Sequence, residues 1–318
     1  MNGTTLTTTN TGNLQTGSTL SYELFEDFIA FIDVSAGSVR TYSNAIKQMF
    51  SYLQDHEITR PTYDDLKQYR DYLKQTRKPS TTQLYIVAIK QFFKWTAQRN
   101  LYPNIAEGLK GAKLDREHKR DYLTADSVKT VLKGIDKTTL QGKRDYALIT
   151  LAVTAGLRTV ELQRADIADL STAGGNSVIY VQGKGHEEKA VYVKLPAQTE
   201  RIIREYLATR AKAGHSVDPA EPLFVSLSNH NQGDRMTTRS ISRIVKEHLK
   251  EAGYDTNRLT AHSLRHTAVT LALLQGQELA EVQAFARHRD ISTTMIYNHA
   301  VDQEKNACSQ AVADSIFA

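Results

Sequence analysis

Residues 146–155, Tyr-Ala-Leu-Ile-Thr-Leu-Ala-Val-Thr-Ala, run almost without polar interruption. Ten residues cannot span a bilayer, which takes about 20. The run reads instead as a helix apolar on every side, and such a helix belongs at the centre of a core. Gly156 follows at once and is free to take the left-handed conformation that ends a helix. The surrounding sequence supplies the cover. A helix opens at Thr124, which suits an N-cap, and helical patterns return over 198–213, 237–251, 263–275, 278–287 and 292–297. The one β signal lies in 177–195, where Val178-Ile-Tyr-Val181 and Ala190-Val-Tyr-Val193 flank Gly183-Lys-Gly-His-Glu-Glu188. The fold class is therefore mainly α with a small β-sheet.

The N-terminal part is different in kind. Residues 1–19, rich in Thr, Asn and Gly, bury too little to offset ordering and read as a flexible tail. From Tyr22 onward, Leu24, Phe25, Phe28, Ile29 and Ile32 recur at helical spacing. A second helix follows Ser38, with Val39, Tyr42, Ile46, Met49, Phe50 and Leu53 on its apolar face and Arg40, Asn44 and Lys47 on another side. A third opens at Thr62-Tyr-Asp-Asp65, whose acidic first turn suits the helix dipole. A fourth opens at Ser80-Thr-Thr-Gln83, read as a capping box after Pro79. It buries Tyr85, Ile86, Ile89, Phe92, Phe93 and Thr96 and leaves Gln83, Lys90 and Lys94 on a polar stripe. With 318 residues, two domains are expected at the usual ~100–200 residues each. Residues 20–110 make a four-helix unit, the densely charged 111–121 a linker, and 122–318 a longer mixed domain.

Charge and cysteine usage narrow the class without naming a partner. Forty Lys and Arg against 35 Asp and Glu leave a net charge of +5, too mild to decide for or against nucleic acid. A single cysteine, Cys308, excludes a disulfide-stapled secreted scaffold. The N-terminus has neither the basic start nor the apolar core of a signal peptide, so a cytoplasmic protein with no membrane partner is expected.

Four separated segments carry the chemistry. Thr154-Ala-Gly-Leu-Arg158-Thr-Val-Glu161-Leu puts an arginine just beyond the apolar helix. Gly183-Lys184-Gly185 puts a lysine at a hairpin tip. In His262-Ser-Leu-Arg265-His266, the histidine and arginine three apart share a helix face. His288 is followed nine residues later by Tyr297, inside Ser292-Thr-Thr-Met-Ile-Tyr-Asn-His299. Singly, each is ordinary: a surface arginine in a salt bridge, a solvated turn lysine, a half-buried tyrosine. His262 and His266 at i, i+4 could ligate a metal, but neither a His-Glu-x-x-His pattern nor a companion cluster is present. Together, two arginines, a lysine, two histidines and a tyrosine suit metal-free phosphoryl transfer. Guanidinium forks bind non-bridging oxygens, histidine and lysine move protons, and a tyrosine oxygen can serve as nucleophile.

The ordered set Arg158, Lys184, His262-x-x-Arg265, His288, Tyr297 resembles the signature of the tyrosine recombinases, also called the phage-integrase family. The flanking Ala-Gly-Leu-Arg-x-x-Glu-Leu, His-x-Leu-Arg-His-Thr and Ile-Ser-Thr-Thr-x-x-Tyr-x-His agree, and the resemblance spans residues 20–300. It implies a helical, SAM-like core-binding domain followed by an α+β catalytic domain. It also implies that the Tyr297 hydroxyl attacks a DNA phosphate to form a 3′-phosphotyrosyl link. Arg158 and Arg265 would clamp the non-bridging oxygens, His288 add a hydrogen bond, Lys184 protonate the departing 5′ oxygen, and His262 act as acid or base near the nucleophile. Glu161 would support Arg158. No cofactor, ATP or divalent metal is implied. One departure stands out: Ala286-Arg287-His288 replaces the usual Leu-Gly-His, and Arg287 could add a phosphate contact.

The resemblance further implies a clamp around double-stranded DNA carrying an inverted-repeat site. Candidate contacts are Arg40, Asn44, Lys47, Gln83, Lys90 and Lys94 in the first domain. In the second, Arg239, Arg243, Lys246 and Lys250 fall along one helix face opposite Ile241, Ile244, Val245 and Leu249. Residues 302–318 place Ala307, Ala311, Val312, Ile316 and Phe317 on one stripe, which either packs within the chain or docks on a neighbouring protomer of a homotetramer. The expected activity is site-specific recombination, for a mobile element or in Xer-type chromosome-dimer resolution, the Thr-rich tail and Arg287 favouring the former. A type IB topoisomerase-like nicking-closing enzyme is the alternative, and a DNA-binding module without catalysis a further one.

Overall fold

A computed structural model describes residues 20–113, 121–182, 188–305 and 307–317. The described residues fall into two compact units, divided between residues 116 and 117.

The first unit holds four helices: α1 Tyr22–Phe31, α2 Ala36–Asp55, α3 Tyr63–Thr76 and α4 Pro79–Gln98. Phe28, Ile46, Met49, Leu66, Tyr69, Ile86, Ile89, Phe92 and Phe93 close on one another in its core. α3 opens where the acidic first turn suggests, and Thr62 caps it in a reciprocal box with Asp65. Two helix starts differ from expectation. α2 begins before Ser38, because Ser35 is the cap and Ser38 only supplies the N–H that it accepts. α4 begins at Pro79 without a side-chain cap. Proline presets φ for the first helical position and has no N–H there to satisfy, so no Ser80 box is needed. Thr82 is buried instead and donates to the Leu73 carbonyl at the end of α3.

The second unit is built round α6 Leu140–Thr154, which packs on α5 Ala125–Gly134, α7 Thr159–Arg164, α8 Ala197–Lys212, α9 Thr238–Glu251 and α10 Ala261–Leu274. The apolar run occupies the predicted central place: Ala147 to Ala152 are all buried, with Leu148 and Leu151 fully so. α6 starts earlier than the apolar run, at a Thr139 cap, and takes the Arg144–Asp145 ion pair into the interior. A three-stranded antiparallel sheet, β1 Leu170–Ala173, β2 Asn176–Val181 and β3 Val191–Lys194 in that order, presents Ile179, Val181 and Val193 to this core. β1 is a correction to the single hairpin expected: Leu-Ser-Thr-Ala is short and lacks alternation, and becomes a strand by pairing Leu170 with Ile179. α11 Leu279–Ala286, α12 Ser292–Lys305 and α13 Cys308–Phe317 complete the chain. α12 runs well past Tyr297, further than the periodicity indicated. No helix among the described residues is long and apolar enough to cross a membrane.

Candidate active site

The end of α6 sets the first arginine. Gly156 takes φ +56°, turning the chain so that Arg158 becomes the residue before α7. Glu161, one turn into α7 and fully buried, accepts the Arg158 backbone N–H on Oε2 at 2.8 Å and the guanidinium on Oε1 at 2.8 Å. α10 then brings up His262, Arg265 and His266 at i, i+3 and i+4, one helix face. α11 stops at Arg287, whose φ of 53° is left-handed. That conformation costs a non-glycine residue about 1–2 kcal/mol, which accounts for the glycine the signature carries there. His288 follows, and the first turns of α12 carry Thr294 and Tyr297.

These elements line one pocket of about 240 Å³ with Arg158, His262, Arg265, His266, His288, Thr293, Ile296 and Tyr297. Tyr297 is buried and its hydroxyl meets Nδ1 of His266. The His262 and His266 rings meet edge to face at 4.6 Å, and the His288 ring stacks 6.1 Å from Tyr297. Nδ1 of His288 lies 2.9 Å from Thr294 Oγ1. Arg265 is aimed by two carbonyls, donating to Gly156 O at 2.6 Å and to Ala286 O. Arg158 donates its second guanidinium nitrogen to Arg287 O at 3.2 Å.

The pocket is electropositive. Burial, reinforced by Arg158 and Arg287, pushes Arg265 down to about 9, still charged at neutral pH. Burial and then Arg265, Arg158, Arg287 and His262 push His288 down to about 4, so its ring is neutral at pH 7. Burial works to raise the Glu161 carboxyl, but the Arg287 charge and the bonds from Arg158 and Arg287 prevail and lower it. A buried guanidinium such as that of Arg265 is screened little by water and is a strong partner for an oxyanion.

Five of the six expected residues thus converge: Arg158, His262, Arg265, His288 and Tyr297. Lys184 lies outside the described residues; nearby, Lys189 is tied to Asp166 and Asp169 at 2.6 Å each, which anchors the chain entering β3. His266 was visible in the sequence only as part of a motif and a metal alternative, and its contact with Tyr297 needed the fold to be seen. Thr294 gave no stronger signal, and Arg287 stood out only as a departure that could add a phosphate contact, whereas its guanidinium is bonded to Phe285 O, Gly156 O and Glu161. Among the described residues no three His, Cys, Asp or Glu side chains gather to hold a metal ion. In the first unit, Arg40, Asn44, Lys47 and Lys94 are exposed, whereas Gln83 and Lys90 are half-buried. In the second, Arg239 and Arg243 are exposed beside a groove that also takes in Lys246, Asn257 and Thr260. Ile241, Ile244, Val245 and Leu249 are buried on the other side of α9.

A helical body with a small antiparallel sheet, gathering two arginines and three histidines around a buried tyrosine, defines a protein of the tyrosine-recombinase class. The chain belongs to the phage integrase family, whose model matches residues 121–304, and residues 23–100 match the phage integrase N-terminal SAM-like domain. It is 30% identical over 258 residues to the tyrosine recombinase XerC of Caldanaerobacter subterraneus subsp. tengcongensis, covering 78% of this chain and 69% of the relative. With the tyrosine recombinase XerD of Listeria monocytogenes it shares 29% over 298 residues, 87% of this chain and 94% of the other. Its fold is similar to that of the XerH site-specific recombinase bound to a palindromic difH substrate in a post-cleavage complex. That match has a TM-score of 0.70 at 20% identity and covers 85% of this chain and 78% of that one.

Proposed function

We propose that this chain is a site-specific DNA recombinase that breaks and rejoins strands through a 3′-phosphotyrosyl intermediate. The observation that carries the reading is the buried Tyr297 hydroxyl, held by His266 in the pocket that also presents Arg158, Arg265 and His288. In the proposed reaction the Tyr297 oxygen bonds to phosphorus and the bond from phosphorus to the 5′ oxygen breaks. The tyrosine proton passes to the His262–His266 pair, and Lys184 delivers a proton to the departing oxygen. Arg158 and Arg265 hold the non-bridging oxygens, and neutral His288 donates one further hydrogen bond. Because the phosphodiester energy is retained in the tyrosyl ester, religation to a partner strand needs no nucleotide cofactor and no metal.

The second unit would thus be the catalytic domain and residues 20–110 the core-binding domain, closing on duplex DNA with 111–121 between them. Arg40, Asn44, Lys47, Gln83, Lys90, Lys94, Arg239 and Arg243 are the proposed DNA contacts, and an inverted-repeat site bound by four protomers in the cytoplasm the proposed setting. The relatives named XerC and XerD support a Xer-type resolution role over the mobile-element integrase that the Thr-rich tail and Arg287 favour. Footprinting the purified protein on DNA flanking its own gene separates the two, since an inverted repeat there points to a mobile element.

The central test is Tyr297→Phe on a nicked suicide duplex of the protected sequence. Covalent adducts disappear while binding stays within about twofold, because only the nucleophilic oxygen is lost. Adducts that persist in the variant exclude Tyr297 as nucleophile. Strand exchange between two cognate duplexes, against relaxation of arbitrary supercoiled DNA, separates a recombinase from a nicking-closing enzyme.

A further inference from the structure

At the end of α11 the backbone and side chain of one residue do separable things. The left-handed turn at Arg287 aims two successive carbonyls into the pocket, Ala286 O at Arg265 and Arg287 O at Arg158. A glycine would make the same turn with less strain, so the arginine side chain needs its own reason. That side chain does not reach for solvent. It folds inward, only 10% exposed, and donates to Phe285 O at 2.7 Å, Gly156 O at 3.1 Å and Glu161 Oε2 at 2.8 Å. Glu161 therefore holds two guanidiniums, Arg158 on Oε1 and Arg287 on Oε2. Gly156 O is likewise shared, by Arg265 and Arg287. Arg158, Arg265 and Arg287 against Glu161 leave this site two net positive charges, where a glycine at 287 would leave one.

We infer that Arg287 is a positioning residue for strand cleavage: it neutralises Glu161, so that Arg158 meets the scissile phosphate with its positive charge undivided. The inference rests on the proposed reading of Tyr297 as nucleophile. Its physical basis is burial. Glu161 is wholly enclosed and Arg287 nearly so. Water therefore screens the carboxylate poorly, and its charge is felt by every guanidinium it touches. In-line displacement spreads negative charge over the phosphoryl oxygens, which is where an undiminished Arg158 acts.

The test is the single-turnover rate of covalent adduct formation on the nicked duplex, with folding of each variant followed by its melting curve. Arg287→Gly keeps the turn and removes the charge, and slows adduct formation by about tenfold or more. Arg287→Lys restores part of that rate, because the charge returns without the fork. In a Glu161→Gln background the cost of Arg287→Gly shrinks to about threefold or less, since no carboxylate remains to be neutralised. Arg287→Gly cleaving at the unsubstituted rate overturns the inference. So does an equal loss in both Glu161 backgrounds, or, should Glu161→Gln not fold, an equal loss in Arg287→Gly and Arg287→Lys. No adduct from the unsubstituted protein overturns the nucleophile reading and this inference together; an adduct whose rate ignores Arg287 overturns this one alone.

Discussion

Gly156 shows how much one residue carries here. Its φ is +56°, and a Cβ would sit 3.0 and 3.1 Å from the Phe285 ring and 3.5 Å from the Ala268 side chain. Its carbonyl meanwhile receives Arg265 and Arg287. Gly156→Ala therefore combines backbone strain with a steric push against the helix that ends at the active site. We expect a loss of about 1–3 kcal/mol in urea unfolding, seen as a lower midpoint at unchanged slope. An unchanged midpoint would mean that the turn tolerates a side chain. The sequence made Gly156 legible as a helix terminator, but not as an acceptor for two arginines. The same holds at position 161: Glu161 was legible as a support for Arg158, while its second partner lies 126 residues away along the chain.

At the scale of elements, periodicity located the helices of eight residues or more and missed the shortest elements. α7 has six residues and β1 four, too few to display a period. Both exist because the core formed by longer neighbours gives them something to pair with or cover. α9 was legible in both its faces, and the structure adds how it is pinned to α6. His248 Nε2 lies 3.2 Å from Asp145 Oδ2, and Nδ1 lies 2.9 Å from Glu251 Oε2. The hydrogen bond to Asp145 raises the His248 pKa above its ordinary 6.5 against an opposing push from burial, with the Asp145 charge and Glu251 adding to the rise. Arg144, bonded to the same Asp145, is the other charge at this contact. A folded value above the unfolded one means that the stabilisation is fully present below about pH 6.5 and lost as pH rises through the raised value. The melting-temperature gap between the unsubstituted protein and His248→Gln should therefore be wider near pH 6 than near pH 9. A gap that widens toward alkaline pH would contradict the assignment.

For the whole molecule, the revealing feature is α13. None of its described residues is buried, and Val312, Ile316 and Phe317 are 56, 65 and 84% exposed. Packing within the chain, the simpler of the two expectations for this stripe, is not what the described residues do. Under the proposed function the stripe docks on a neighbouring protomer. Deleting residues 303–318 should then leave the melting temperature within a few degrees, while abolishing synaptic complexes on paired sites in native gels. Complexes that survive the deletion would show that the coupling lies elsewhere. From the sequence alone it follows that one helix is central, that a four-helix unit and a longer mixed domain flank a charged stretch, and that an ordered set of residues suits phosphoryl chemistry. Those follow from local apolar period and residue type, which a chain displays in one dimension. The folded chain alone shows that His266 meets Tyr297, that Glu161 is shared by Arg158 and Arg287, and that no described residue of the last helix is buried. Such facts depend on which distant segments share a buried, poorly screened space, and neither period nor composition encodes that.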